Sequence, residues 1–132
     1  MDTVGLSHFN ITAPSELLEK VRDFYVEVVG LSVGDRPDFR RKGFWLYADS
    51  EPIVHLTACD EDDARANAES RLSFFDHIAF SCKGLAGAIE RLKRLNIPYE
   101  MVEISSLGQV QLFVLDPARV GVELNFVNES LV

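Results

Sequence analysis

Three histidines, two cysteines and one tryptophan are all that this 132-residue chain holds of those three residue types. Cys59 and Cys82 stand alone with no CxxC spacing, so the sequence offers neither a thiolate zinc site nor a disulfide framework, and both are expected to be reduced thiols. No apolar run is long enough to cross a bilayer, which argues against a membrane partner. Bases are scarce too: 13 Lys and Arg against 21 Asp and Glu leave a net charge of −8. That is the wrong sign for a surface that neutralises phosphates, and nucleic acid is not an expected partner. The opening MDTVGLSHFN has no basic segment followed by an apolar stretch of the kind that marks a leader, so the expectation is a cytoplasmic protein. The rest of the composition is ordinary. With 47% apolar residues the chain has enough for one domain with a core, or for two small repeated units.

What is present repeats. GLSHFNIT alternates like a strand, and PSELLEKVRDFYVEVVG follows with Leu17, Leu18, Val21, Phe24, Tyr25, Val28 and Val29 at helical spacing. Pro14 and Ser15 suit its start and Gly30 its stop. LSVGDR, GFWLYAD and PIVHLTA read as three strands separated by Pro37, Gly43 and the turn-like DSEP. After the acid-rich connector CDEDDARANAESR, a solvated linker with some helical character, the order returns. FFDHIAFS is a strand, GLAGAIERLKRLN a helix with Leu85, Ala88, Ile89, Leu92 and Leu95 on one face, and YEMVEI, GQVQLFVL and VGVELNF are strands. The expected fold class is α+β, with two tandem βαβββ units forming curved mixed sheets: 4–58, a linker 59–72, and 73–127. Together they make one domain over 1–132.

Spacing supports duplication, because the separations between like residues stay nearly constant. His8 and His77 are 69 apart, Leu46 and Leu112 66, Asp49 and Asp116 67, and His55 and Glu123 68. The last pair sits in matching contexts, IVHLTA and GVELNF, on the fourth strand of each unit. Neighbours on a strand alternate faces, so Val122, Leu124 and Phe126 make an apolar side while Gly121, Glu123 and Asn125 make a polar one. An unpaired Glu123 on the helix-packed side would cost several kcal/mol. By the same rule Val54 and Leu56 face the helix and His55 faces away. His8 shares its face with Leu6 and Asn10, and His77 with Phe75 and Ala79. If each sheet is concave on its helix-free side, His8, His55, His77 and Glu123 converge in a cup. Imidazoles with one carboxylate suit a divalent transition metal with open positions. A single strand histidine is more often a hydrogen-bonded filler, but four ligand-type side chains in corresponding slots argue for a site.

GLSHFNIT, the helix end FYVEVVGL, FDHIAF and LFVLDPARVGVELNF together resemble the vicinal oxygen chelate superfamily, which includes glyoxalase I, fosfomycin-resistance thiol transferases, bleomycin-binding proteins, methylmalonyl-CoA epimerase and extradiol dioxygenases. The resemblance spans nearly the whole chain. It implies His8, His77 and Glu123 as metal ligands, with His55 where glyoxalase I carries a fourth, and Glu123 and His55 as the residues that exchange protons. The metal would be Zn, Ni, Fe, Co or Mn. A homodimer with sites at the subunit interface is the family's frequent arrangement. The resemblance leaves the reaction open, since the superfamily shares a metal that chelates two neighbouring oxygens rather than one chemistry. Where bacterial glyoxalase I uses an Arg and an Asn to hold glutathione, this chain has Thr12 and Cys59. A glyoxalase-like lyase or isomerase on another substrate is therefore favoured. An extradiol dioxygenase is the alternative, although its Tyr before the glutamate is Phe113 here. A metal-free binding protein of bleomycin-resistance type is the second alternative.

The residues beside the ligands describe a small-molecule substrate. If Leu46 and Leu112 face the helices, Trp45, Tyr47, Gln111 and Phe113 face the cup, joined by Asn10, and the walls suit a planar or apolar body. The basic loop RPDFRRKG carries Arg36, Arg40, Arg41 and Lys42, which could attract a carboxylate or phosphate; such runs are more often solvated.

Overall fold

A computed structural model describes residues 1–70 and 75–131. The end of the expected linker and the start of the expected second unit, residues 71–74, lie outside the described residues. The chain divides into two compact units, Met1–Ser73 and Phe74–Val132.

The first unit runs β1 (Phe9–Pro14), α1 (Ser15–Phe24), a π-helical turn (Tyr25–Val29), β2 (Ser32–Gly34), β3 (Gly43–Ala48), β4 (Glu51–Cys59) and α2 (Glu61–Ser70). The second runs β5 (His77–Cys82), α3 (Leu85–Arg94), β6 (Glu100–Ile104), a short 3-10 turn (Ser105–Leu107), β7 (Gln109–Leu115) and β8 (Gly121–Val127). Strand order is β1-β4-β3-β2 in one sheet and β5-β8-β7-β6 in the other, the same βαβββ topology twice. In both sheets the first strand pairs parallel with the fourth and the remaining pairs are antiparallel. The acid-rich connector is α2, whose first turn is capped by Asp60 accepting the Asp63 N–H at 2.7 Å.

Each sheet buries one face, as the alternation requires. Leu18, Val21, Phe24, Tyr25 and Val28 are buried with Leu46, Val54 and Leu56 of the first sheet, against which α1 packs. In the second unit Leu85, Ile89 and Leu92 of α3 are buried, as are Leu112, Val114, Val122, Leu124 and Phe126. The helix continuing α1 ends at Gly30, whose left-handed backbone (φ 92°) lets the Leu31 N–H return to the Tyr25 carbonyl at 2.9 Å.

The ladders refine the internal alignment. Trp45 lies opposite His55 and Phe113 opposite Glu123, while Leu46 pairs with Val54 and Val114 with Val122. Leu46 therefore corresponds to Val114 and not to Leu112. The third and fourth strands keep one constant offset, and Trp45 is the counterpart of Phe113. A bulge between Leu46 and Tyr47 then breaks the register, putting Tyr47 opposite Pro52. The hairpin loops differ as well. Asp49 sits in a tight turn with φ 52°, whereas the loop from Asp116 is longer and is closed by the Val120 N–H on the Asp116 carboxylate at 2.9 Å.

Candidate functional site

In the first unit His8, His55 and Trp45 form one stack. The His55 ring lies between His8 (centroids 3.8 Å apart, planes at 14°) and Trp45 (4.1 Å, 11°). His55 and Trp45 meet because they are cross-strand partners with side chains on the same face. His8 is not on the strand where the sequence suggests it; it precedes β1 by one residue. Its Nδ1 is 2.9 Å from the Ser7 hydroxyl. His55 Nε2 is 3.0 Å from the Pro52 carbonyl, an oxygen that can only accept, so the proton belongs on Nε2 and Nδ1 keeps its lone pair. Burial lowers the His55 pKa first and His8 and Arg36 lower it further, against the hydrogen bond to Pro52, which raises it. Asn10, the β1 neighbour of His55, is held in place: it accepts from the Thr57 hydroxyl and donates to that of Thr12, both at 2.9 Å.

In the second unit the chemistry gathers on β5 and β8. His77 Nε2 is 3.3 Å from a Glu123 carboxylate oxygen, and Gln111 donates to the other oxygen at 3.4 Å. Glu123 is only 5% exposed. His77 Nδ1 is 2.7 Å from the Asp76 carboxylate, and that hydrogen bond, aided by the Glu123 charge, raises the His77 pKa. Phe113 meets the His77 ring edge-on at 5.8 Å. Gly121, the ladder partner of His77, makes the approach of β5 possible: a Cβ there would lie 2.4 Å from the Asp76 carbonyl and 3.1 Å from His77 Cβ. A cavity of about 660 Å³ lies beside these residues, lined by Asp76, His77, Tyr99 and Phe113 among others.

Of the residues picked out by sequence, His8, Asn10, Trp45 and His55 come together in the first unit, and His77, Gln111, Phe113 and Glu123 in the second. Tyr47 does not join them. Its hydroxyl donates to the Asp35 carbonyl and its ring lies against Gly34, where the bulge sends it. Sequence reasoning missed Asp76, Gly121 and Pro52. Asp76 had a signal, since a carboxylate directly before a ligand-type histidine can reach its second nitrogen.

The donor set fits a divalent transition metal. His8 and His55 each have one nitrogen beside an oxygen, of Ser7 or Pro52, and His77 has Nδ1 on Asp76 and Nε2 toward Glu123, itself a ligand-type group; oxygen partners of this kind orient ligating histidines. The carboxylate beside His77 Nε2 is buried. Among the described residues no group of three or more His, Cys, Asp or Glu side chains is gathered as a metal site.

The paired βαβββ architecture is the vicinal oxygen chelate fold, the class the sequence resembles. Solved structures share it at low identity. A glyoxalase-family protein from Bacillus anthracis is 18% identical, with a TM-score of 0.71 over 96% of this chain and 98% of its own. The fosfomycin resistance protein FosX from Listeria monocytogenes, solved with Mn(II) and a dihydroxypropylphosphonic acid, is 15% identical, with a TM-score of 0.69 over 98% and 95%. TnmS3, an antibiotic-binding protein from a Streptomyces species, is 18% identical, with a TM-score of 0.63 over 96% and 98%. No protein-family model matches the chain, and no curated protein matches it. At these identities the likeness is one of fold.

Proposed function

We propose that the protein is a divalent-metal-dependent enzyme acting on a small substrate with two neighbouring oxygens, as a glyoxalase-like lyase or isomerase whose substrate need not contain glutathione. Glu123 carries the reading. It is a buried carboxylate whose partners among the described residues are one imidazole and one amide, with no Lys or Arg ion pair among them. A carboxylate so placed costs several kcal/mol unless a positive charge compensates it; protonated His77 is such a charge in metal-free protein, and a metal cation held beside neutral His77 would take its place.

In this reading His8, His55, His77 and Glu123 hold one transition metal: Zn, Ni, Fe, Co or Mn. Transition-metal sites of this kind take three or more protein donors. A homodimer is the expected assembly, since pairing between copies is a frequent arrangement among proteins of this fold. The bound metal supplies a Lewis acid that stabilises charge on vicinal oxygens. Glu123 accepts the substrate proton, and Asp76 keeps the His77 proton on Nδ1. Trp45 and Phe113, with Gln111 and Asn10, form the walls.

A second reading, a metal-free binding protein, draws on the His8, His55 and Trp45 stack, which makes a flat aromatic wall without any metal, and on the likeness to an antibiotic-binding protein. Metal analysis of untagged protein purified without chelators separates the two. Stoichiometric metal that is lost in Glu123→Gln supports the enzyme; no metal, with the variant titrating Zn or Ni like wild type, overturns it. Anaerobic Fe(II) loading followed by oxygen uptake on catechols then tests the dioxygenase alternative.

A further inference from the structure

We infer that the ligand of the His8 and His55 face is a small organic anion, its charged group held by Arg36, Arg40 and Arg41. The inference deepens the proposed function and rests on reading that face as a substrate site. A cavity of about 680 Å³ opens beside the stack within the first unit, lined by the three arginines together with Phe39, Trp45 and His55. Asn10, Thr57 and His8 complete its polar lining. Among the described residues no aspartate or glutamate lines it, in a chain whose net charge is −8. Four of the 13 basic residues fall within residues 36–42. That concentration lies in the β2–β3 loop beside the ligand-type histidines.

The arginines differ in how they are held. Arg36 is set in place: one Nη donates to the Arg41 carbonyl at 2.9 Å, its guanidinium lies 4.9 Å from the Phe39 ring centroid, and its Nε is buried without a partner. Arg41 reaches Asp63 at 3.7 Å across a half-exposed gap, a contact worth little. Arg40 has no ion pair or hydrogen bond with any described residue. Asp38, the acid nearest in sequence, lines a neighbouring cavity and not this one. One oriented guanidinium, one unengaged and one weakly engaged are an arrangement for a carboxylate, phosphate or phosphonate, which take up charge-assisted hydrogen bonds from such forks. Phe39 and Trp45, with ring centroids 6.2 Å apart, receive an apolar body attached to that group.

Trp45 is the only tryptophan of the chain and lines the cavity, so its emission reports occupancy. Chelator-treated protein is titrated with phenylphosphonate and, separately, with benzyl alcohol as a neutral counterpart. The expected result is a saturable change for the anion alone. Arg40→Gln and Arg36→Gln should each weaken it about tenfold. Arg40 makes no hydrogen bond or ion pair with any described residue, so its variant tests the site with little risk to folding. Absence of saturation by phenylphosphonate, equal binding of benzyl alcohol, or wild-type affinity in Arg40→Gln would each overturn the inference. Failure of the metal reading is seen separately, as absence of metal in the untreated protein, and does not touch this titration.

Discussion

His77 and His55 are both ligand-type imidazoles, yet their surroundings push them in opposite directions. Asp76 and Glu123 favour protonated His77, while burial and neighbouring cationic groups favour neutral His55. In metal-free protein, proton NMR should show His77 titrating above 6.5 and His55 below it. The linkage signs follow. The contribution of His77 to stability is complete below its unfolded pKa and is lost as pH rises through the folded one. That of His55 is present above its unfolded pKa and is lost as pH falls through the folded one. Asp76→Asn should return the His77 titration toward 6.5. Because partners of this kind orient ligating histidines, the same variant should weaken metal binding about 10- to 100-fold in a chelator competition. An unchanged affinity would leave Asp76 as a surface contact only. His55→Ala distinguishes two roles: weaker metal binding if it is a ligand, or retained metal with turnover lower by about 10²–10⁴-fold if it exchanges protons with substrate.

Two devices decide how the elements of the second unit meet. β5 approaches β8 closely only because Gly121 has no side chain. Gly121→Ala forces a methyl against the Asp76 backbone and His77, an overpacking that should cost about 1–3 kcal/mol in thermal or denaturant unfolding. It should also reduce metal affinity by moving His77, whereas a variant of full affinity would show that the strand absorbs the methyl elsewhere. The start of α3 has no side-chain cap of its own at Gly84. Glu129, beyond β8, supplies one, its carboxylate accepting from the Gly84 N–H at 3.0 Å and the Leu85 N–H at 2.9 Å. Glu129→Ala should therefore lower stability by about 1 kcal/mol, through loss of both the acceptor and a negative charge at a helix N-terminus. Equal midpoints for variant and wild type in urea would refute the capping role.

At the scale of the molecule, the same topology twice gives two ligand-type pairs, one of imidazoles and one of imidazole with carboxylate. The net charge of −8 favours discrete over indefinite association. The expected outcome of sedimentation at micromolar concentration is a homodimer. A monomer that still binds metal tightly would place the whole site within one chain. No helix among the described residues is long and apolar enough to cross a membrane.

The sequence by itself determined the two βαβββ orders, the buried faces of α1 and α3, and the shared slot of His55 and Glu123. These follow from periods of 3.6 and 2, which are properties of the local chain and survive any packing. Tertiary structure decided the rest. Its ladder register made Trp45 the counterpart of Phe113, and the bulge after Leu46 moved Tyr47 out of the cluster. It set His8 just before β1, flat against His55. It also brought Glu129 to the α3 terminus and the loop arginines to the histidine stack. None of these is encoded in a nearby pattern. Each depends on ladder register and on side-chain packing between segments tens of residues apart, where a single bulge or a missing Cβ redirects every group that follows.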